Sequence, residues 1–524
     1  MRTQRALRGS LLLLASACLL WGASCGQITA IREYIDRSWC ALLRSNADLL
    51  KAAADTKAGN PGEVILYVPR SEDPGKIAAQ LRVDPRLVRR LPPGGEPAEP
   101  GLLYLPHPYV VPGGRFNEMY GWDSYFIVLG LLADGKVQLA KDMTDNLIYA
   151  VRHYGKVLNA NRTYYLTRSQ PPFLTRMILE VFRRTGDSAW LASALPAAEK
   201  YYAYWTREPH LTPETGLSRY YGGADTPAPE AVQGEHHYDR VREYYRTHIV
   251  TAYDVSRYYD RATGRLTPLF YQGDRAMRES GFDPSSRFGP FSADIIHYNP
   301  VDLNSLLYRM ESDISAICTI LNHPREARLW ALRAHRRAEA INRLMWDERA
   351  GLYFDYNFER KCRSNYPFVT TFFPLWAGIA SPEQAARVAA NLPLFERAGG
   401  LQTSTHVTGQ QWDAPFGWAP MQIIATEGLR RYGMDEAAGR IGAKFLLMVL
   451  RDFCEHGTIK EKYDVVTGSS ELAAGLRFGY SSNEIGFGWT NAAFLVMYND
   501  LTPKWLDGPL PYGRGSVPAS EPRP

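Results

Sequence analysis

Runs of basic side chains are missing from this chain. Its 60 Lys and Arg are scattered among 55 Asp and Glu, leaving a net charge of only +5 over 524 residues, which excludes the concentrated positive face of a nucleic-acid binder. Cysteine is scarce, six in all. Cys40, Cys318, Cys362 and Cys454 lie far apart without metal-ligand spacing, so no disulfide framework is expected and buried free thiols are. No His/Cys/acid cluster and no phosphate-cradling glycine loop stands at a convincing position, so neither metal nor cofactor is expected. Long runs of alternating apolar and polar residues are lacking too, which argues against a sheet-built core.

What is present is a composition of 45% hydrophobic and 22% charged residues, that of a packed globular protein. The N-terminus carries Arg2 and Arg5, an apolar run from Leu11 to Leu20, and small residues from Gly22 to Ser24 before Cys25. This pattern predicts an export signal over residues 1–25, too short to span a membrane, with a periplasmic or extracellular destination and Cys18 or Cys25 as a possible lipid anchor. Residues 26–106 read as an N-terminal arm. Within it, residues 59–106 combine a β-like run from Val64 to Val68, a helix near Lys76 to Leu81 and a Pro/Gly-rich stretch. That segment reads as an extension packed on the main domain, with a weak resemblance to a LysM-type glycan-binding module. Residues 107–502 form the main domain, and residues 503–524, rich in Pro, Gly and Ser, are expected to be disordered.

From about residue 125 onward, apolar residues recur at helical spacing. Leu303, Leu306, Leu307, Met310, Ile314 and Ile317 make one stripe, with Asp302 expected as the N-cap. Ten to twelve such helices predict an all-α domain. The connections between them are long and chemically rich: residues 216–233, 281–298, 402–418 and 457–486 carry Trp, Arg, Asp, Glu and Gln where turn formers alone would serve.

Three of the polar clusters precede helices. Pro112 to Tyr125 presents Arg115, Trp122 and Asp123; Asn159 to Pro172 presents Asn159, Arg168, Ser169 and Gln170; Gln410 to Pro420 presents Trp412 and Asp413. Carboxylates accept sugar hydroxyls in pairs and indoles stack on apolar sugar faces, so the three predict one shared carbohydrate-binding mouth.

The first and third clusters resemble the two signature motifs of the trehalase family, glycoside hydrolase family 37. Further matches are Glu279 to Arg287, Asp302 to Tyr308, Glu461 to Asp464 and Gly486 to Asn491, while Glu461 to Gly468 also resembles family 63 hydrolases. The resemblance implies an (α/α)6 barrel and an inverting hydrolysis of the α,α-1,1 bond of trehalose, with Asp283 as general acid and Glu461 as general base. Such carboxyls stand roughly 6.5–9.5 Å apart, leaving room for the attacking water. It further implies sugar contacts from Arg115, Trp122, Asp123, Asn159, Arg168, Ser169, Gln170, Glu230 and Gly281, with Trp412 and Asp413 lining the pocket. The expected partner is a small carbohydrate and the expected state a monomer.

Two positions depart from the family pattern. Ala228 stands where the family carries an Arg, and Tyr480 where it carries a binding Glu; Arg477 and Glu484 are the sequence-adjacent candidates to replace them. The departures leave another α-glucoside or α-mannoside open as substrate, and a non-catalytic glycan-binding envelope protein open as a different class.

Overall fold

A computed structural model describes residues 25–55, 64–232, 236–472, 476–480 and 482–501. The expected export signal, up to residue 24 and including Cys18, and the expected tail over 503–524 lie outside the described residues. The principal helices are α1 (Cys25–Leu42), α2 (Pro74–Leu81), α3 (Gly121–Ala133), α4 (Val137–Tyr154), α5 (Leu174–Thr185), α6 (Ser188–Trp205), α7 (His237–Thr247) and α8 (Pro268–Ser280). After them come α9 (Val301–Ile320), α10 (Pro324–Met345), α11 (Phe373–Ala377), α12 (Pro382–Ala390), α13 (Ala419–Arg431), α14 (Asp435–His456) and α15 (Gly488–Leu501).

Burial sorts these helices into two layers. In α3 the side chains of Trp122, Tyr125, Phe126, Ile127, Val128 and Leu131 are all buried, covering every side of the helix, as a helix with neighbours all round requires. In α4 the buried set is the stripe Ala140, Met143, Leu147, Ile148 and Val151, and the opposite face meets solvent. The inner ring runs α3, α5, α9, α11, α13 and α15, each packed on the next, with α15 closing on α3. Helices α1, α4, α6, α10, α12 and α14 form the outer layer. The all-α (α/α)6 barrel expected from the sequence is the observed architecture.

Ring closure depends on a glycine. A Cβ placed on Gly130 of α3 would lie 2.7 Å from the Ala492 Cα of α15 and 2.6 Å from its Cβ, so the first and last inner helices approach as closely as they do only because Gly130 has no side chain.

The extension packs against the mouth of the barrel. Strand β1 (Leu66–Val68) pairs in parallel with β2 (Val88–Arg90) on one side and β3 (Leu102–Leu103) on the other. The Leu103 amide donates to the Asn161 carbonyl at 2.8 Å, and Ile65, Tyr67, Leu91 and Leu103 share an apolar cluster with Leu158.

Two expectations need correction. Asp302 is not the N-cap of α9; that helix is preceded by Pro300, and Asp302 is buried in the first turn, where it accepts from Arg287 at 2.7 Å and from the Tyr220 hydroxyl at 2.8 Å. Of the four cysteines expected as buried free thiols, all are free but only Cys318 is buried; the others sit on the outer surface, where a thiol is tolerated without packing.

Because Ala is the better helix former by about 1 kcal/mol, propensity alone would make Gly130→Ala stabilising. The close approach of α15 reverses that sign: the variant is expected to lose about 1–3 kcal/mol of unfolding free energy in a denaturant titration, and a gain would contradict the packing described.

Candidate active site

Trp122 and Asp123, Trp418 and Trp489 all lie at or just before the N-terminal ends of inner helices, so the wide polar loops converge on the end of the ring where the helix dipoles are positive. There they enclose one cavity. Of the expected site residues, Arg115, Trp122, Asp123, Asn159, Arg168, Gln170, Glu230, Gly281, Asp283, Trp412 and Glu461 line it.

Asp283 is placed by the end of α8. Gly281 closes that helix at φ +76, and a Cβ there would lie 2.8 Å from the Trp122 ring, so this position requires glycine on both counts. The following loop is locked from across the mouth: Gln411 donates to the Asp283 carbonyl, the Trp412 amide to the Pro284 carbonyl at 3.1 Å, and the Ser286 amide to Asp413 at 2.8 Å. Beneath, Arg287 is wholly buried and binds both Asp302 and Asp355.

Glu461 is placed by a short ladder. Strand β4 (Phe416–Trp418) pairs antiparallel with β5 (Lys462–Asp464), with Trp418 opposite Lys462. The main chain of Glu461 donates to the Glu484 carbonyl at 2.9 Å and accepts from the Trp489 indole at 3.0 Å. Its carboxylate takes the Lys462 ammonium on Oε2 at 3.2 Å and the Tyr480 hydroxyl on Oε1.

The floor is aromatic. Trp412 stacks on Trp418 with centroids 3.9 Å apart, and Trp122 contacts Phe282, Trp412 and Trp489 edge-on or tilted. Such walls exclude water, and the carboxyls respond. Burial pushes Asp283 up to about 7, against the pull of Arg278, whose Nη1 is 3.6 Å away, and of Arg168. Burial also raises Glu461, opposed by Lys462 and by the Tyr480 hydroxyl. Asp123 is driven well above the carboxylate range by burial. Glu230 goes the other way: burial would raise it, but Arg168 and Arg278 hold it below its usual value.

The Arg168–Glu230 ion pair leaves three polar atoms without a partner among the described residues, Arg168 Nε and Nη1 and Glu230 Oε2. Unpaired buried groups cost about 1–3 kcal/mol each, and hydroxyls of a bound sugar would satisfy donors and acceptor alike.

Two expected residues stand behind the wall. Ser169 gives its hydroxyl to the Val157 carbonyl at 2.6 Å, and its amide to Glu279 at 3.0 Å. Asp413 is spent on Ser286, Thr408 and Tyr366. Both are buried polar groups already satisfied within the protein, so they shape the loops and do not line the cavity. Arg477 and Glu484, expected as replacements for the missing Arg and Glu, are absent from the wall as well; Glu484 accepts the Arg115 amide at 2.8 Å, and Arg477 packs on Gly409. The lining residues not singled out from the sequence include Arg278, His237, Gln411, Trp418 and Trp489. The last three lie inside quoted motifs, so their signal was available.

Three carboxyls of raised pKa, Asp123, Asp283 and Glu461, share one aromatic cavity at the end of an (α/α)6 ring, an arrangement suited to acid–base chemistry on a glycoside. The chain belongs to the trehalase family, whose sequence model matches residues 73–501. A relative from Neurospora crassa, described as a cytosolic neutral trehalase, is 40% identical over 432 residues, 74% of this chain and 57% of that protein; the chain spans little more than half the length of such curated relatives. The solved neutral trehalase Nth1 from Saccharomyces cerevisiae superposes with a TM-score of 0.73 at 34% identity, covering 90% of this chain and 94% of that one. A family 63 mannosylglycerate hydrolase from Thermus thermophilus shares the fold, with a TM-score of 0.51 at 19% identity over 75% of this chain and 95% of that one.

These relatives overturn the expected export. The Neurospora protein and other fungal relatives are described as cytosolic, against the expected periplasmic, secreted or lipid-anchored destination. The apolar N-terminal run that suggested export is a compositional pattern that stands outside the matched family region.

A bell-shaped pH dependence of kcat/KM for glycoside hydrolysis is expected. With Glu461 as base and Asp283 as acid, the roles that the family resemblance implies, activity would fall with acid as Glu461 becomes protonated and with alkali as Asp283, raised to about 7, loses its proton. Arg278 holds the Asp283 pKa down, so Arg278→Met is expected to move the alkaline limb to higher pH; an unmoved or lowered limb would contradict this electrostatic account.

Proposed function

We propose that this protein hydrolyses the α,α-1,1 bond of trehalose to two glucose molecules with inversion, acting as a monomer through the barrel over residues 107–502, with residues 26–106 as an arm packed on it. One observation carries this reading: Asp283, kept protonated toward neutral pH by its surroundings, shares a cavity with Glu461, whose ionised form is supported by Lys462 and Tyr480. The protonated Asp283 delivers its proton to the glycosidic oxygen while Glu461 takes a proton from water attacking the opposite face of the ring. As Asp283 becomes a carboxylate, Arg278 stands 3.6 Å from it to stabilise the new charge. Trp122 and Trp412 offer sugar-stacking faces, and Arg115, Asp123, Asn159, Gln170, Arg168 and Glu230 offer hydrogen bonds to hydroxyls.

Ala228 favours a second reading, a different α-glucoside or an α-mannoside, because a guanidinium is lost at its position. Arg278 weakens that alternative: it brings a second guanidinium to the cavity beside Arg168, restoring a donor that a glucosyl unit at this end would use.

The test is glucose release from trehalose set against a panel of other α-linked disaccharides and glycosyl-glycerates. Trehalose is expected to give the highest kcat/KM, and Asp283→Asn and Glu461→Gln to lower kcat by about 10²–10⁴-fold each. Preference for another α-glycoside would replace the substrate, and sugar binding without turnover by the intact protein would replace the enzyme with a glycan-binding role.

A further inference from the structure

Tyr480 stands beside Glu461 without taking part in either proton transfer of the proposed chemistry. Its ring packs edge-on to Phe116 with centroids 5.6 Å apart, the Lys462 ammonium sits over it at 3.8 Å, and the Arg115 guanidinium at 5.3 Å. Two cations and an aromatic neighbour thus fix the ring, and its hydroxyl points at Glu461 Oε1. The second carboxylate oxygen is taken by Lys462 at 3.2 Å, and Lys462 itself lies over the Trp418 ring at 5.2 Å.

We propose that Tyr480 is a positioning residue for Glu461: its hydroxyl locks the rotation of the carboxylate and holds it ionised, so that its remaining lone pairs face the attacking water. The inference rests on Glu461 acting as the base. A carboxylate held at only one oxygen turns about its last bond; held at both, from Lys462 and Tyr480, it keeps one plane. Each donor also favours the charged form. The other charged groups around Glu461 oppose or modulate this: Glu484 on the following loop, Asp123 on α3 and Asp283 across the cavity are acidic, and Arg115 reaches the site over the Tyr480 ring. Burial keeps the Tyr480 phenol protonated far above neutrality, so it remains a donor throughout the working range.

The chemistry of this lock differs from that of a carboxylate in the same position. A Glu beside Glu461 would add a negative charge and oppose its ionisation, whereas a phenol donates a proton to it without charge.

Tyr480→Phe removes the hydroxyl and keeps the ring. The acidic limb of the kcat/KM profile is expected to move up by about one pH unit, with kcat reduced and KM for trehalose nearly unchanged. An apparent pKa does not depend on the folded fraction, so partial misfolding does not obscure the shift. An unmoved acidic limb would overturn the inference, and so would a rise in KM alone, which would make Tyr480 a sugar contact. The same shift can be read without turnover from the ¹³C titration of the Glu461 carboxyl, identified by its loss in Glu461→Gln. If the wild-type protein hydrolyses no α-glycoside while this titration still moves with Tyr480→Phe, the functional reading fails and the positioning stands; if hydrolysis proceeds and the titration is unmoved, only the positioning fails.

Discussion

The carboxylate of Glu279 ties the mouth of the barrel together. It is fully buried and accepts from the Ser169 amide at 3.0 Å, the Tyr204 hydroxyl at 2.8 Å and the Tyr221 and Gly222 amides at 2.9 and 3.1 Å, while pairing with His210 at 3.2 Å. Burial would push such a group up, yet His210 and these N–H donors hold it down to about 2. A single charge therefore joins the loop that carries Arg168 and Gln170, the loop that leads to Glu230, and the helix whose end carries Gly281 and Asp283. Removing one partner of a buried charge is more damaging than removing both, which makes this node the constraint to which the cavity-lining residues are subordinate.

A second buried charge works the same way one layer down. Arg287 binds Asp302 and Asp355 with no exposure of its side chain, and Asp355 in turn accepts the Val301 amide at 2.9 Å. The start of α9 is thereby tied to the loop that follows Asp283. The segment from Glu279 to Arg287 is thus anchored by charges at both of its ends, and Asp283 hangs between them in the cavity. That division explains how one short segment can hold a carboxyl in the cavity without a helix or strand of its own.

Much of this was legible in the sequence, and the failures have physical causes. The helical period showed an all-α domain, whose inner and outer helices differ in how many faces they bury, as α3 and α4 illustrate; the barrel itself came from the resemblance to the trehalase family. The motifs led to Asp283, Glu461 and most of the cavity wall. They misled at Ser169 and Asp413, since a motif groups residues that touch a ligand with residues that hold the loop, and only hydrogen-bond partners separate the two. Arg278 left no signal of its own because a basic residue in the last turn of a helix is ordinarily a partner of the helix dipole. Asp302 looked like a cap for the opposite reason: its true partner, Arg287, arrives from a different element. Arg477 and Glu484 were chosen by nearness along the chain, which says little about which side chains reach a cavity.

The account stands on Asp283 and Glu461 acting from opposite faces of one sugar ring, and the stereochemistry of the first product reports this directly. A ¹H NMR time course of trehalose hydrolysis, taken before mutarotation equilibrates the anomers, is expected to show α- and β-glucose appearing at equal rates. Release of α-glucose alone would mean retention and would contradict the assignment of Glu461 as a base acting on water.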